Sequence, residues 1–344
     1  MILNLIDQLK IKHVNIPIFI PELACPHQCI FCNQKKISGA VSSPSPVEVV
    51  KTIEEHLATI NPNNSNVEIA FFGGNFTGLK KEEQIEYLII AHKYIQEGVV
   101  DSVRLSTRPD YISNDILRLL SQYKVKTIEL GAQSMHDEVL QRSGRGHTVE
   151  QTIVASKMIK DWGFDLGLQM MIGLPGDTME KSITTAEQII TLGATNTRIY
   201  PTLVIKDTKL EELHSEQKFS PLTLDESVRW TSEVYKIFES GGVKILRVGL
   251  HPSEGLLHGG ELIAGPFHQS YRELVLTELW HEELKHLAQN NTSERICIFV
   301  NPYQLNYAVG YHGKNRDMLL NKFRSVKFIP DAKLIKREFN VSYS

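Results

Sequence analysis

Cys25-Pro26-His27-Gln28-Cys29-Ile30-Phe31-Cys32 is the stretch around which the chain is organised. It follows an apolar run from Ile16 to Pro21 that predicts a β-strand. A cubane iron–sulfur cluster normally has four cysteine ligands, and the fourth cysteine of the chain, Cys297, lies far away in an apolar run. The spacing therefore predicts an iron–sulfur site with one open iron, at which a substrate or cofactor can bind. The predicted ligands are Cys25, Cys29 and Cys32.

A structural zinc site is the plain alternative for these cysteines. Such sites use four Cys or His ligands, often as two separated pairs, whereas His27 lies inside the cysteine triplet. A disulfide would close a strained loop of two or three residues and would leave one cysteine over. An iron–sulfur site fits the spacing better than either.

The composition is that of an ordinary globular protein. The chain has 344 residues, 42% of them apolar and 22% charged, enough for one large domain and one small one. No apolar run approaches the roughly 20 residues that span a bilayer, and the start lacks the marks of a signal peptide. Because four cysteines, three of them in one motif, suit a reducing compartment, we expect a cytoplasmic protein without membrane contact.

Strand-like and helix-like runs alternate along the chain up to Val248. Ser45 with Glu48, Thr148 with Gln151, and Thr223 with Glu226 predict three helix starts. Alternation with buried-looking strands predicts a parallel sheet, and six units in about 200 residues predict an incomplete (β/α)6 TIM-like barrel. Periodicity alone leaves a doubly wound open sheet as the alternative. The predicted strands are 16–20, 67–72, 102–107, 127–132, 166–172 and 197–204, with a seventh at 244–248.

The triplet C-x3-C-x2-C, with the aromatic Phe31 before its last cysteine, resembles the signature of the radical S-adenosylmethionine (SAM) enzymes. The resemblance implies a partial barrel, which favours that fold over the doubly wound sheet. It also implies a [4Fe–4S] cluster, whose open iron is chelated by SAM. Reductive cleavage of SAM then yields methionine and a 5′-deoxyadenosyl radical that abstracts a hydrogen atom.

The resemblance assigns cofactor roles to residues at the carboxyl ends of the predicted strands, where barrels carry their chemistry. Gly73, Gly74 and Asn75 would bind the amino group of SAM, although an acidic or hydroxyl residue is usual where Asn75 stands. Polar residues at the next two strand ends would hold the carboxylate or ribose, and an aromatic ring and one backbone segment would line the adenine. These further residues are Ser106, Arg108, Gln133, Phe31, Ile172 and Gly173.

Segments 106–110, 129–134, 145–148 and 198–205 resemble the radical SAM half of the elongator catalytic subunit, which modifies wobble uridine in tRNA. The resemblance spans roughly residues 14–252. The remaining residues show no counterpart of that enzyme's acetyltransferase domain, so the resemblance does not predict that this chain carboxymethylates wobble uridine. Residues 173–176 also resemble the anaerobic coproporphyrinogen dehydrogenases. We expect an RNA substrate, with a small molecule such as a tetrapyrrole, or a non-catalytic iron–sulfur or RNA-binding protein, as alternatives.

Several residues near the predicted strand ends are candidates for the substrate side. A Tyr or His near a substrate radical can pass a proton or electron, and an Arg can hold a phosphate or carboxylate. The predicted catalytic residues are Arg198, Tyr200 and His147, with Arg145 and His251 as weaker candidates. An electron donor such as a flavodoxin or ferredoxin is the expected protein partner.

The last 55 residues carry nine Lys and Arg against four Asp and Glu, whereas the rest of the chain is acidic. A strand, a helix, the turn Gly310-Tyr311-His312-Gly313, a second helix and a strand follow one another here, as in a KH module, whose GxxG loop clamps RNA. A plain helical hairpin is the alternative. We expect RNA contact through residues 310–327, a core position for Cys297, and three parts: barrel 1–255, helical connector 256–289 and module 290–344.

Overall fold

The computed structural model describes residues 12–20, 29–33, 42–61, 64–250, 254–258, 260–288 and 293–344. Its strands are β1 Lys12–Ile20, β2 Ser65–Gly73, β3 Ser102–Thr107, β4 Val125–Gln133, β5 Asp165–Ile172, β6 Asn196–Pro201, β7 Val204–Ile205, β8 Lys244–Val248, β9 Leu262–Ala264, β10 Arg295–Val300, β11 Ser325–Pro330 and β12 Phe339–Tyr343. Its helices are α1 Pro46–Leu57, α2 Lys81–Gln96, α3 Asn114–Gln122, α4 Asp137–Arg142, α5 Val149–Asp161, α6 Met179–Thr191, α7 Lys209–Ser215, α8 Leu224–Ser240, α9 Glu254–Leu257, α10 Tyr271–Leu284, α11 Leu305–Val309 and α12 Lys314–Leu320.

Seven parallel strands form the main sheet, in the order β1-β2-β3-β4-β5-β6-β8. A doubly wound sheet would reverse its strand order at a switch point, but this order follows the chain. The sheet is therefore an open half-barrel, which confirms the predicted partial TIM-like barrel. The seventh predicted strand belongs to the same sheet and extends the six expected units by one.

Three helices begin where the capping patterns predict. Each cap side chain accepts from the backbone amide three residues on, and the Glu or Gln there accepts from the cap's own amide. Each box satisfies two amides that a helix start would leave unpaired. The three capping pairs are Ser45 with Glu48, Thr148 with Gln151, and Thr223 with Glu226.

The prediction of one continuous sixth strand to Val204 is wrong. The strand ends at Pro201 because the amide and hydroxyl of Thr202 both donate to the carbonyl of Ile172, at 3.0 and 2.8 Å. The chain then leaves the half-barrel, and β7 pairs in antiparallel fashion with β9.

The two faces of the half-barrel differ in chemistry. Ile69, Phe71 and Leu105 belong to the apolar core that the strands share with the surrounding helices. Alternate residues of a strand point to opposite faces, and the intervening positions of β2 and β3 carry Glu68 and Arg104, which are also buried. The outer face is therefore apolar, and the inner face is polar and charged.

The C-terminal strands form a separate sheet in the order β11-β10-β12. Its apolar core includes Trp280 and Leu284 of α10, so the predicted connector supplies part of the module's core. The other end of α10 lies on the barrel, where the Tyr271 hydroxyl hydrogen bonds with the Thr231 hydroxyl of α8 at 2.8 Å. No helix within the described parts of the chain is long and apolar enough to cross a membrane.

Candidate active site

Cys29 and Cys32 lie in one tight turn. The amide of Cys32 donates to the carbonyl of Cys29 at 3.0 Å. Two backbone hydrogen bonds hold Ile30 in place, from its amide to the Ser143 carbonyl at 3.1 Å and from the Leu210 amide to its own carbonyl at 2.7 Å. The turn thereby fixes two of the three predicted ligand residues between the loop after α4 and helix α7. The third predicted ligand, Cys25, and the candidate His251 lie outside the described residues.

The end of β2 lies directly against the end of β1. Gly73 has a φ of +116°, and a Cβ there would stand 2.1 Å from the Ile20 carbonyl oxygen, so only glycine fits. The Gly74 amide donates to the same oxygen at 2.8 Å. Asn75 is fully buried, and its side-chain oxygen accepts from the Thr107 hydroxyl at 2.6 Å. The predicted amino-group site thus lies against the last residue of β1.

Arg108 and Ser106 are both engaged with neighbouring side chains. The Arg108 guanidinium is buried and contacts both carboxylate oxygens of Asp110 at 2.9 Å. It also donates to the carbonyl of Arg145 at 2.7 Å, which holds the loop after α4. The Ser106 hydroxyl donates to Glu129 at 3.4 Å. A direct contact of either residue with SAM stays a prediction.

Strands β4 and β5 end in unusual backbone. Gln133 has a φ of 64°, in the left-handed region that side chains other than glycine avoid, and its side-chain oxygen accepts from Gln169 at 3.3 Å. Buried strain of this kind is concentrated at functional sites. Gly173, with a φ of +71°, donates its amide to Asp177 at 2.8 Å. Burial raises the pKa of Asp177 to about 6. The Ile172 carbonyl, as described above, is already bound by Thr202.

An apolar cluster joins the cysteine loop to the ends of β5 and β6. Phe31 and Tyr200 both pack against the buried cluster of Val139, Met171 and Leu174. Phe31, Met171 and Tyr200 are therefore brought together, although they are far apart in sequence. This is the position at which the resemblance places the adenine.

A line of buried charges crosses the inner face of the sheet. Arg104 contacts Glu68 at 2.7 Å and Glu129 at 2.6 Å, and Arg198 contacts Glu129 at 3.0 Å. The Arg198 guanidinium also lies 4.6 Å from the centre of the Phe72 ring, and burial raises the pKa of Tyr200. Arg198 and Tyr200 are among the residues predicted from the sequence, whereas the carboxylates of Glu68 and Glu129 are not. The sequence does carry a signal for these carboxylates. Each belongs to a strand that is predicted to be buried, and a charged residue inside a buried strand needs a partner of opposite charge.

Arg145 and His147 occupy the loop between α4 and α5. Arg145 donates to the Cys29 sulfur at 3.3 Å and to the Gly131 carbonyl at 2.7 Å. His147 is buried, and burial together with the charges of Arg145 and Arg108 lowers its pKa to about 3. At pH 7 its imidazole is neutral and does not act as a cationic acid. Arg145 is predicted from the sequence to lie on the substrate side, whereas its guanidinium contacts the predicted cluster ligand Cys29.

The donors of this site suit an iron–sulfur cluster. Among the residues whose placement is described, no three His, Cys, Asp or Glu side chains converge on one metal position. Two motif cysteines nevertheless share one turn, and a buried guanidinium contacts the sulfur of Cys29. Thiolate ligands carry negative charge, which such a cation stabilises. The residues present therefore fit the cluster that the spacing predicts.

Comparison with known proteins gives matches along most of the chain. Residues 20–189 match the model of the radical SAM superfamily, and residues 195–281 match the radical SAM C-terminal domain. A tRNA uridine(34) acetyltransferase of Methanocaldococcus infernus is 26% identical over 243 residues, which cover 59% of this chain and 46% of that protein. An uncharacterised protein of Methanocaldococcus jannaschii is 31% identical over 231 residues, or 63% of this chain and 69% of that protein.

One solved structure shares the fold over most of the chain. It is the archaeal Methanocaldococcus infernus Elp3 with an N-terminal deletion, and its TM-score is 0.63 at 20% identity. The match covers 80% of this chain and 64% of that one. The chain thus spans about half the length of the acetyltransferase it matches in sequence.

Proposed function

Because the chain belongs to the radical SAM superfamily, in the branch that contains the archaeal tRNA uridine(34) acetyltransferases and Elongator complex protein 3, we propose that it is an enzyme that reductively cleaves SAM and acts on tRNA. When bound, a [4Fe–4S] cluster supplies the electron that splits SAM into methionine and a 5′-deoxyadenosyl radical. A flavodoxin or ferredoxin would reduce the cluster. The acetyl transfer named for the relatives is not part of the proposal.

The observation that carries the proposal is the tight turn of Cys29 and Cys32, with the buried Arg145 guanidinium 3.3 Å from the Cys29 sulfur. Cys25 would complete the ligand set. SAM would lie between this turn and the ends of β3 to β5, with its adenine against the apolar cluster. The proposed cofactor contacts are Phe31, Gly73, Gly74, Asn75, Ser106, Arg108, Gln133, Ile172 and Gly173.

Tyr200 and Arg198 would face the substrate from β6. With a raised pKa, Tyr200 keeps its proton at pH 7 and can donate it to a substrate oxygen or nitrogen. The charge of Arg198 is balanced by Glu129, so its proposed role is to orient Tyr200. His147, neutral in its buried loop, would line the site as an uncharged group.

The proposed tRNA substrate rests on the relatives' names and on the C-terminal module. Gly310 and Gly313 have φ values of +89° and +79°, and a Cβ on Gly310 would lie 2.8 Å from the Asn315 amide nitrogen, so the backbone conformation is a sufficient reason for both glycines. Lys314 pairs with Glu278, which reduces the charge that the turn offers to phosphate. Lys322 and Lys327 are exposed and remain the proposed phosphate contacts.

The test is 5′-deoxyadenosine formation by anaerobically reconstituted protein given dithionite and SAM, with and without total tRNA. We expect product from the wild type, stimulation by tRNA that weakens as salt is raised, and loss of product in Cys29→Ala. Cys297→Ala is the matched control, because this cysteine lies in β10, outside the motif. If tRNA does not change the amount of 5′-deoxyadenosine, the substrate has to be sought among small molecules. No product from fully loaded wild type would overturn the proposal.

A further inference from the structure

Arg145 is a buried cation with an unusual set of contacts. Its side chain is 8% exposed, and within the described part of the chain it forms no ion pair with a carboxylate. The other buried arginines of the site differ, since Arg104 and Arg198 pair with Glu129 and Arg108 pairs with Asp110. Burying an unbalanced charge is costly, so the negative partner of Arg145 has to be sought elsewhere.

The contacts of Arg145 point to that partner. One terminal nitrogen donates to the Cys29 sulfur at 3.3 Å, and the other donates to the Gly131 carbonyl at 2.7 Å. The Arg108 guanidinium, held by Asp110, donates to the Arg145 carbonyl at 2.7 Å and fixes its backbone. The guanidinium is thereby aimed at one ligand sulfur from a backbone that is itself anchored.

We infer that Arg145 is a positioning residue for the cluster, which neutralises the Cys29 thiolate and makes the cluster easier to reduce. This inference rests on the proposed function, because it requires a cluster on Cys29. A hydrogen bond and a positive charge at a ligand sulfur stabilise the reduced cluster, which carries one more electron, more than the oxidised cluster. Easier reduction favours delivery of the electron to SAM.

The experiment is a redox titration of the reconstituted full-length chain, with the reduced cluster followed by electron paramagnetic resonance. In Arg145→Gln the ratio of reduced to oxidised cluster at a fixed potential should fall about tenfold, equivalent to about 59 mV for one electron. Arg145→Lys keeps the charge but has a single ammonium group for two contacts, so we expect a smaller fall. Arg142→Gln is the matched control, because Arg142 is exposed and pairs with Glu138.

An unchanged midpoint potential in Arg145→Gln, or an equal shift in Arg142→Gln, would overturn the inference while leaving the proposed function intact. If Arg145→Gln takes up no cluster, Arg145→Met, which also removes the charge but keeps a long side chain, is titrated in its place, and a wild-type potential there would overturn the inference. A wild-type protein that takes up no cluster would overturn the proposed function itself, and the two failures are thus distinguishable. If Arg145 served only to hold the Gly131 carbonyl, its replacement would change cluster occupancy or protein stability but not the midpoint potential.

Discussion

The outer and inner faces of the half-barrel are built from the same strands but have different roles. Phe71 on the outer face and Glu68 on the inner face are both buried, but the first is surrounded by apolar side chains and the second by Arg104. Burial of apolar surface stabilises the fold, whereas burial of an ion pair roughly breaks even. A closed barrel would fill its interior with branched apolar residues. The outer face thus supplies stability, and the inner face keeps a polar lining for chemistry.

The largest expected effect comes from breaking the outer face. Phe71→Ala removes a ring that lies 4.9 Å from the ring of Phe76 and 6.0 Å from that of Tyr87. We expect a loss of about 3–5 kcal/mol in the free energy of unfolding, measured by urea denaturation, with product formed per folded chain unchanged. Val47→Ala, at a position 77% exposed, should cost less than about 0.5 kcal/mol. Equal costs at the two positions would contradict the assignment of the core.

The next effect comes from unbalancing the inner face. Glu129→Gln keeps the shape of the side chain but leaves Arg104 and Arg198 with one carboxylate fewer. We expect a loss of about 3 kcal/mol in the free energy of unfolding and, unlike Phe71→Ala, a loss of product per folded chain. Glu187→Gln, on the exposed side of α6, is the control. Full activity in Glu129→Gln would show that the buried charges of the inner face are not needed for the reaction.

A pH effect should follow from the buried imidazole. His147 has a pKa of about 3 in the folded protein and about 6.5 when unfolded, so only the unfolded chain gains a proton as the pH falls through 6.5. The free energy of unfolding should therefore fall by about 2 kcal/mol between pH 7 and pH 5 through this group. Urea denaturation at both pH values should show that His147→Gln lacks this loss.

Wild type and His147→Gln have to be compared at both pH values, because protonation of Asp177 changes the free energy of unfolding in the opposite direction. Its raised pKa, about 6, makes the folded state bind a proton more readily than the unfolded chain does. That contribution is the same in wild type and variant, so the difference between them isolates His147. An identical pH dependence in the two proteins would show that His147 is not desolvated.

The smallest effect on the free energy of unfolding is expected at Ser106, at the edge of the row of buried charges. The Ser106 hydroxyl donates to Glu129 at 3.4 Å, a long contact. Ser106→Ala should therefore change the free energy of unfolding by less than about 0.5 kcal/mol, whereas the apparent affinity for SAM should fall if this hydroxyl binds the cofactor. Binding of SAM to the loaded protein, measured by equilibrium dialysis, separates the two roles.

Local patterns predicted much of the fold. The capping pairs Ser45 with Glu48 and Thr223 with Glu226 act over three residues, so the sequence displays them directly. The end of β6 at Pro201 depends instead on a contact between Thr202 and the neighbouring strand, and the sequence does not show it.

Contacts across long sequence distances account for the part of the site that was missed. Cys29 and Arg145 are 116 residues apart, and Glu129 and Arg198 are 69 residues apart. Each residue alone fits many roles; the parallel strands β4 to β6 bring Glu129 and Arg198 together, and contacts between loops, such as Ile30 with Ser143, bring Cys29 and Arg145 together. The cysteine motif could be recognised because its members lie within eight residues of the sequence, whereas the groups that contact it come from distant parts of the chain.

The most direct test of the account is to ask whether the polar inner face surrounds a cluster with an open iron. Iron and acid-labile sulfide would be measured on the reconstituted protein, and the reduced protein would be examined by electron paramagnetic resonance before and after SAM is added. We expect iron and sulfide in equal amounts and a signal that changes on addition of SAM, because SAM binds the open iron. Bound zinc in place of iron, or a cluster signal that SAM leaves unaltered, would contradict the account.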